Sequence, residues 1–165
     1  MRKFGVFIVL PLAAWAVLLS GCGYAPKSLF PADIKSVQVN IFDNDSHRTD
    51  VELNVTNALT KELNVSKLKV TDTHPDSILK GTLIETKNAS LVESDFGTIT
   101  GGDVVLTADL KWMDARTNSE IPLRVKIVTA RASFNILRGE NHALAVQKAV
   151  ELLAKRIVEA MEEEW

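Results

Sequence analysis

DVVLTADLKWMDARTNSEIPLRVKI, residues 103–127, is the stretch that decides the fold of this chain. Apolar residues occupy every second position of its first half, which is the period of a strand with one buried face. These residues are Val104, Leu106, Ala108, Leu110 and Trp112. Residues 114–120, which are polar except for Ala115, then turn the chain back, and apolar residues alternate again at Ile121, Leu123, Val125 and Ile127. The stretch therefore predicts an antiparallel β-hairpin.

Three further strands are predicted upstream of the hairpin, at Val37–Ile41, at Leu68–Thr71 and from Ser77 to about Leu91. The first ends at the polar run Asp43–Ser46. The pair His74-Pro75 separates the second strand from the third, because the residue before a proline is biased away from helix. The segment Glu93–Asp103 holds three of the chain's eight glycines. It predicts a mobile hairpin loop.

Two amphipathic helices are predicted on either side of this strand-rich region. Thr49 and Glu52 form a capping box, which opens a helix from about Asp50 to Leu63. Its apolar stripe is Val51, Val55, Leu59 and Leu63. The second helix runs from about Asn141 to Glu163. Its stripe is Val146, Val150, Leu153, Ile157 and Met161.

The element order β-α-β-β-β-β-α predicts the α+β class. Each helix has one apolar face, so we expect a two-layer sandwich with both helices on one face of a mostly antiparallel or mixed sheet of four to five strands. The other sheet face has no cover. Apolar and basic residues are expected to mix there: Val105, Met113, Val128, Ala130, Lys111, Arg124 and Lys126. Such a face suits an amphiphile or a barrel interior, or its β-branched residues simply favour strand structure.

The first residues have the parts of an export signal. Arg2 and Lys3 precede an apolar stretch from Phe4 to Leu19, which is shorter than the roughly 20 residues that a membrane-spanning helix needs. Residues 1–21 are therefore predicted to be a cleaved signal peptide. Leu19-Ser20-Gly21-Cys22 resembles a bacterial lipobox, so the only cysteine of the chain, Cys22, is predicted to be lipidated. A plain signal peptide with an incidental cysteine is the alternative.

The lipobox interpretation divides the rest of the chain in two. Residues 22–33 contain two prolines and little periodicity, which favours an extended tether, and residues 34–165 are expected to form a single domain. Two or more acyl chains on Cys22 would anchor the protein durably, since each buried methylene contributes about 0.8 kcal/mol. Gly23 rather than Asp follows the cysteine, which in the enterobacterial sorting scheme favours the outer membrane. The predicted location is the periplasmic face of the outer membrane.

Composition and charge exclude several classes of function. The formal net charge of −2 becomes about −4 when Arg2 and Lys3 leave with the signal peptide, so the basic footprint of a nucleic-acid-binding protein is missing. No second thiol exists to form an internal disulfide with Cys22. His47, His74 and His142 fall in separate predicted loops, and no Gly-x-Ser-x-Gly elbow precedes a helix. We therefore expect no enzyme activity, metal or cofactor.

Five segments together carry a family resemblance. They are Cys22-Gly23-Tyr24, Ser36–Phe42, Thr49–Leu63, Leu79-Lys80-Gly81-Thr82-Leu83 and Ala149–Met161. In their order and residue pattern they resemble the LPS-assembly lipoprotein family, LptE, over nearly the whole mature chain. Members of that family plug a large outer-membrane β-barrel, support its assembly and can bind lipopolysaccharide. The resemblance implies the same barrel partner and the same ligand for this chain.

The resemblance does not fix the ligand-binding residues. Family members use basic residues near strand ends to contact lipopolysaccharide, whereas the segment 93–103 here contains neither lysine nor arginine. Position and chemistry make Lys111, Arg124, Lys126 and Arg138 the candidates. Two other classes stay open: a lipoprotein of another secretion or cell-wall assembly complex, and an anchored hydrolase, which the missing catalytic residues disfavour.

Overall fold

The computed structural model describes residues 30–45, 51–93 and 97–162, with the backbone alone for 85–90. In chain order its elements are β1 (Ser36–Val39), β2 (Asp43–Asn44), α1 (Val51–Val65), β3 (Lys69–Val70), β4 (Ser77–Glu93), β5 (Ile99–Asp114), β6 (Ile127–Asn135), a 3-10 turn (Ile136–Arg138) and α2 (His142–Met161). Both helices pack on one face of a mixed sheet, which we call the inner face; the opposite face is the outer face. The predicted α+β sandwich is confirmed.

The sheet has the order β3-β1-β4-β5-β6, with β2 beside β4 after the end of β1. β1 and β2 run parallel to β4, whereas β4, β5 and β6 form an antiparallel meander. The first strand ends before the polar run at residue 43, as expected, but Asp43 and Asn44 form a further short strand instead of a turn. They pair with Thr82 and Leu83, because their backbone N–H and C=O groups can still bond to β4 although their side chains are polar.

β5 confirms the first half of the hairpin, but the second half is wrong. The turn after Asp114 forms as expected, and the N–H of Ile121 donates to the carbonyl of Trp112 at 2.8 Å. Pro122 then has no N–H to donate, and the chain leaves the sheet. The N–H of Arg124 donates instead to the carbonyl of Ala160 at the end of α2. The strand that pairs with β5 begins only at Ile127.

The glycine-containing segment 93–103 is not the loop that was expected. β4 extends to Glu93, β5 begins at Ile99, and Gly101 and Gly102 are buried within the ladder. A Cβ on Gly101 would lie 2.7 Å from the carbonyl oxygen of Phe134, which is too close for any side chain. Gly101 therefore permits close strand packing rather than chain mobility. Residues 94–96 lie outside the described residues.

The core lies between the inner face and the two helices. All four residues of the α1 stripe are buried, and so are Val150, Leu153, Ile157 and Met161 of the α2 stripe. Val146 is only partly buried. Asn141 caps α2, since its side-chain oxygen accepts from the N–H of Leu144 at 2.8 Å. Both helices are confirmed, while Thr49 and Glu163 at their expected ends lie outside the described residues.

The motif Leu79-Lys80-Gly81-Thr82-Leu83 has a packing reason for its glycine. Leu79 and Leu83 point into the core, and the ring of Phe42 covers Gly81 between them. A Cβ on Gly81 would overlap three carbons of that ring. Phe42 rather than the expected Ile41 is therefore the core residue that follows β1, and Ile41 is exposed.

Asp76 fastens the start of β1 to the start of β4. Its Oδ2 accepts hydrogen bonds from the backbone N–H groups of Lys35 and Ser36 at 3.1 and 3.0 Å, and from the hydroxyl of Ser36 at 2.8 Å. The Ser36 hydroxyl is the main reason that the pKa of Asp76 lies below its usual value of 3.8. We call this group of three residues the Asp76 clamp.

Candidate functional site

The outer face of the sheet is a surface that the described helices do not cover. Alternate positions of β5 show the contrast: Leu106 and Ala108 on the inner face are 0% exposed, whereas Asp109 and Lys111 on the outer face are exposed. The residues of the outer face include Ile78, Lys80, Thr82, Asp103, Val105, Thr107, Asp109, Lys111, Met113, Ile127, Thr129, Arg131 and Ser133.

Two apolar residues expected on this face belong to the core instead. Val128 is 5% exposed and Ala130 is 0% exposed, and both lie under α2. The cause is the later start of β6: Val128 pairs with Ala108 and Ala130 pairs with Leu106, so both share the inner face of β5. Val105 and Met113 remain on the outer face, half-buried. The outer face is therefore more polar than the sequence suggested.

Three lysines gather at one part of the outer face, in a shallow groove of about 460 Å³. We call it the lysine groove; it is lined by Lys80, Lys111, Lys126, Asp43, Asp109, Glu120 and the neighbouring backbone of β4 and β5. Lys80 and Lys111 are directly opposite in the β4–β5 ladder. Like charges in that relation destabilise a sheet, and neither lysine forms an ion pair with a described side chain. The pair is chemically suited to an anionic ligand.

Lys126 is already neutralised by its own chain. Its Nζ lies 2.6 Å from Oε1 of Glu120, an exposed ion pair. The hydrogen bond between them lowers the pKa of Glu120 and raises the pKa of Lys126. Both charges therefore persist at neutral pH, and Lys126 is less available to an anion than Lys80 or Lys111.

The other predicted ligand residues are not part of the lysine groove. Arg124 lies in the irregular segment beside the end of α2, where its charge opposes the burial that raises the pKa of Glu162. Arg138 ends the 3-10 turn at the far end of β6. The structure thus brings Lys111 and Lys126 together with Lys80, which sequence reasoning missed. The alternation along β4 was the only sign that Lys80 lies on the outer face. That Lys111 is opposite it depends on the β4–β5 register.

A second feature lies at the end of the sheet where β4 and β5 meet. Six large apolar side chains there are between 39% and 81% exposed: Leu91, Val92, Ile99, Ile136, Leu137 and Leu144. The register brings the strand residues to the 3-10 turn, because Val92 is opposite Gly101 and Gly101 is opposite Asn135, the residue before that turn. Leu144 lies in the first turn of α2, which follows it. We call this cluster the apolar end. Clustered exposed apolar residues are typical of surfaces that meet a protein or a membrane.

A larger groove of about 1170 Å³ runs between the two helices, on the side of the molecule away from the outer face. Small and weakly apolar residues such as Ala58, Val146 and Ala154 form its floor, with Lys61 and Glu151 among its polar walls. It contains no close cluster of charged groups of one sign. None of the predicted ligand residues lines this groove, so its size is no reason to choose it as the ligand site.

Histidines and acidic residues do not form a metal centre within the described ranges, where no group of three potential ligands occurs. His142 packs edge-on against Phe134 with ring centroids 5.7 Å apart, and His74 occupies a turn with φ of 50°. His47 lies outside the described residues. The described helices also lack any segment long and apolar enough to cross a membrane.

Several solved structures share this fold. A hypothetical protein from Chlamydia trachomatis, CT253, matches with a TM-score of 0.54 and 12% identity, covering 76% of this chain and 94% of that chain. A minor lipoprotein from Acinetobacter baumannii matches with a TM-score of 0.52 and 14% identity, covering 79% and 92%. The uncharacterized lipoprotein B from Nitrosomonas europaea gives 0.50 and 12%, covering 86% and 94%. At these identities the likeness concerns the fold alone.

The sequence itself identifies the family. No curated protein matches the chain. The model of the family LptE, described as lipopolysaccharide-assembly, matches residues 34–161, which include every helix and strand of the fold. This chain therefore belongs to the LptE family of lipopolysaccharide-assembly proteins.

Proposed function

We propose that this protein is a lipid-anchored lipoprotein of the outer membrane that sits inside the LPS-assembly β-barrel and supports the transport and insertion of lipopolysaccharide. Membership of the LptE family is the observation that carries this proposal. The exposed outer face and the apolar end support it, because both are surfaces that a surrounding protein wall would cover. No catalytic step is needed for such a role.

Cys22 is the proposed point of attachment. The lipobox Leu19-Ser20-Gly21-Cys22 would release residues 1–21 and leave residues 22–33 as a tether before the domain at 34–165. The acyl chains would hold the tether in the inner leaflet, on the periplasmic side. Phe30 and Ile34 are buried in the core, so the described fold begins within about ten residues of the anchor.

Direct contact with lipopolysaccharide is proposed at the lysine groove. Phosphate groups of the lipid would lie between Lys80 and Lys111 and would relieve the repulsion between these opposed ammonium groups. The three carboxylates that line the same groove limit its net charge, so we expect a weak, salt-sensitive contact that positions the lipid. Arg124 and Arg138 remain separate candidates.

The barrel partnership is tested by purifying the full chain with a C-terminal tag in mild detergent. We expect one large β-barrel protein to co-purify in a fixed ratio. A Cys22→Ala variant that is exported behind a plain cleavable signal peptide should be released from the membrane and still bind the barrel when both are mixed in detergent, because the described fold begins only at Phe30. A lone monomer, or a ring of copies without a barrel, would contradict the proposal.

Lipopolysaccharide binding is tested on the purified protein with the double variant Lys80→Gln/Lys111→Gln. The matched control is Lys61→Gln/Lys155→Gln, which removes the same charge from the helix groove on the other side. We expect affinity to fall severalfold in the first variant alone. A third variant, Arg124→Glu/Lys126→Glu, measures two of the other candidates, and Arg138→Glu measures the last. Equal affinity in all the variants removes these residues from consideration and leaves the barrel role unaffected.

A further inference from the structure

β6 is the last strand in the order of the sheet, so one of its sides faces no other described strand. Its backbone groups divide between the two sides according to the antiparallel pairing. The N–H of Leu110 donates to the carbonyl of Lys126 at 2.9 Å, which makes this opposing pair a hydrogen-bonded one. The register then alternates along β6, so even-numbered residues bond to β5 and odd-numbered residues direct N–H and C=O away from it.

Independent contacts agree with this assignment. The guanidinium of Arg156 on α2 donates to the carbonyl of Thr129, from the side away from β5. At the end of the strand, the N–H of Asn135 donates to Glu140 Oε2 at 3.1 Å, and the carbonyl of Asn135 accepts from the N–H of Glu140 at 3.1 Å. The chain thus satisfies the free edge of β6 near both ends by its own groups.

The middle of the edge is not satisfied in this way. Within the described part of the chain, the N–H of Thr129 and the N–H and C=O groups of Arg131 and Ser133 have no partner on the side away from β5. All three residues are exposed. The opposite edge of the sheet differs, because β3 is only two residues long. Proteins usually protect a long free edge, so an open segment of this length is a template for another strand.

Charge indicates what kind of strand fits. The side chain of Arg131 lies on the outer face, with its guanidinium 4.0 Å from Asp103, and is 63% exposed. Arg156 reaches the same edge from the inner face. A second copy of this chain paired on β6 would bring four guanidinium groups to one seam, which like-charge repulsion opposes. A strand with carboxylates on its two faces would instead meet one arginine on each.

We infer that the β6 edge between Thr129 and Ser133 binds an extended, acidic segment of the barrel protein as an added strand of this sheet. The inference rests on the proposed function for the identity of the partner. Main-chain hydrogen bonds to Arg131 and Ser133 supply the pairing, and the two arginines select acidic side chains. The segment would extend the sheet sideways without covering the lysine groove or the apolar end.

The test is residue-resolved amide hydrogen exchange on the full chain, free and in complex with the barrel protein. We expect the Arg131 and Ser133 amides to exchange at least tenfold more slowly in the complex, since they gain partners. Concentration dependence in the free protein would show that a second copy occupies the edge and would overturn the acidic-partner inference. Unchanged exchange in a complex that does form overturns the inference and leaves the barrel role standing. Absence of any complex overturns both.

Two variants make the same test by affinity. Ser133→Pro removes an N–H that faces the partner but none that bonds to β5, and Ser133→Ala is its control. Arg131→Glu reverses a charge at the edge, and Arg116→Glu in the β5–β6 turn is its control. We expect Ser133→Pro to weaken barrel binding about tenfold and Arg131→Glu severalfold, with both controls unchanged. Equal binding of each variant and its control, in folded protein, would overturn the inference.

Discussion

Alternate residues of β5 lie on the inner and outer faces of the sheet, and the two sets have different environments. On the inner face Val104, Leu106, Ala108 and Trp112 have no exposed surface at all. On the outer face a lysine, an aspartate and a threonine stand between half-buried Val105 and Met113. The inner face is explained fully by packing against the helices. The outer face is not explained by the fold, and its composition is therefore the better guide to partners.

The largest expected effect breaks the inner face. Leu106→Ala should lower the free energy of unfolding by about 2–5 kcal/mol, because it removes a fully buried side chain and leaves a cavity. Its neighbour Thr107, on the outer face, gives the control: Thr107→Ala should cost no more than about 1 kcal/mol, which is the scale of the cross-strand pair that its hydroxyl forms with Thr129. Urea denaturation of both variants makes the comparison. Equal losses would mean that the two faces are not distinct.

A smaller loss is expected at Gly81, whose missing side chain makes room for Phe42. Gly81→Ala should cost about 1–3 kcal/mol by overpacking. In the double variant Gly81→Ala/Phe42→Ala the clash no longer exists, so the two losses should not add. A double-mutant cycle measures this coupling. Strictly additive losses would show that the ring does not rest on the glycine.

The Asp76 clamp predicts a pH dependence. The pKa of Asp76 is lowered in the folded protein, so its contribution to stability is present at neutral pH and is lost as the pH falls below about 4. Asp76→Asn should therefore be less stable than the wild type at pH 7, and the difference should shrink on acidification. Denaturant midpoints at about pH 7, 5 and 3 test this. A constant difference across that range would exclude the carboxylate as its cause.

The smallest effect concerns the outer face. Lys111→Glu places a carboxylate opposite Lys80 and should raise the free energy of unfolding by about 0.2–1 kcal/mol at low salt. Salt should weaken the gain by screening. Thermal unfolding at low and high ionic strength measures it. A loss of stability would show that the attraction between Lys111 and Glu120 outweighs the repulsion between Lys111 and Lys80.

Side-chain periodicity predicted the buried parts of the fold well. The α1 stripe and the inner face of β5 follow directly from the spacing of apolar residues. A buried helix face needs one at about every turn, and a buried strand face needs one at every second residue. The start of β6 did not follow, because the alternation of Ile121 to Ile127 is as regular as that of a strand. Pro122 was the contrary signal, and it removed the N–H that pairing requires.

The candidate site was predictable only in part for a related reason. Lys111 and Lys126 were recognised as basic residues on an uncovered face, but their relation to Lys80 depends on the β4–β5 register. That register passes through three irregularities, including one between Leu83 and Glu85, and no local pattern specifies them. The open edge of β6 could likewise not be predicted, because the types of the side chains do not show which way the backbone N–H and C=O groups point.

The Asp76 clamp has a mechanical consequence for a protein held by its N-terminus. β1 runs parallel to both of its neighbours, and the chain enters it beside Lys35 and Ser36, where β4 begins. A pull from the proposed tether would reach β1 through the buried residues Phe30 and Ile34, and its component along β1 would load both ladders and the clamp together in shear. A pull perpendicular to the strand would instead load its hydrogen bonds one at a time. Because resistance to force depends on the rate of unfolding, this entry point favours a long-lived attachment between membrane and domain.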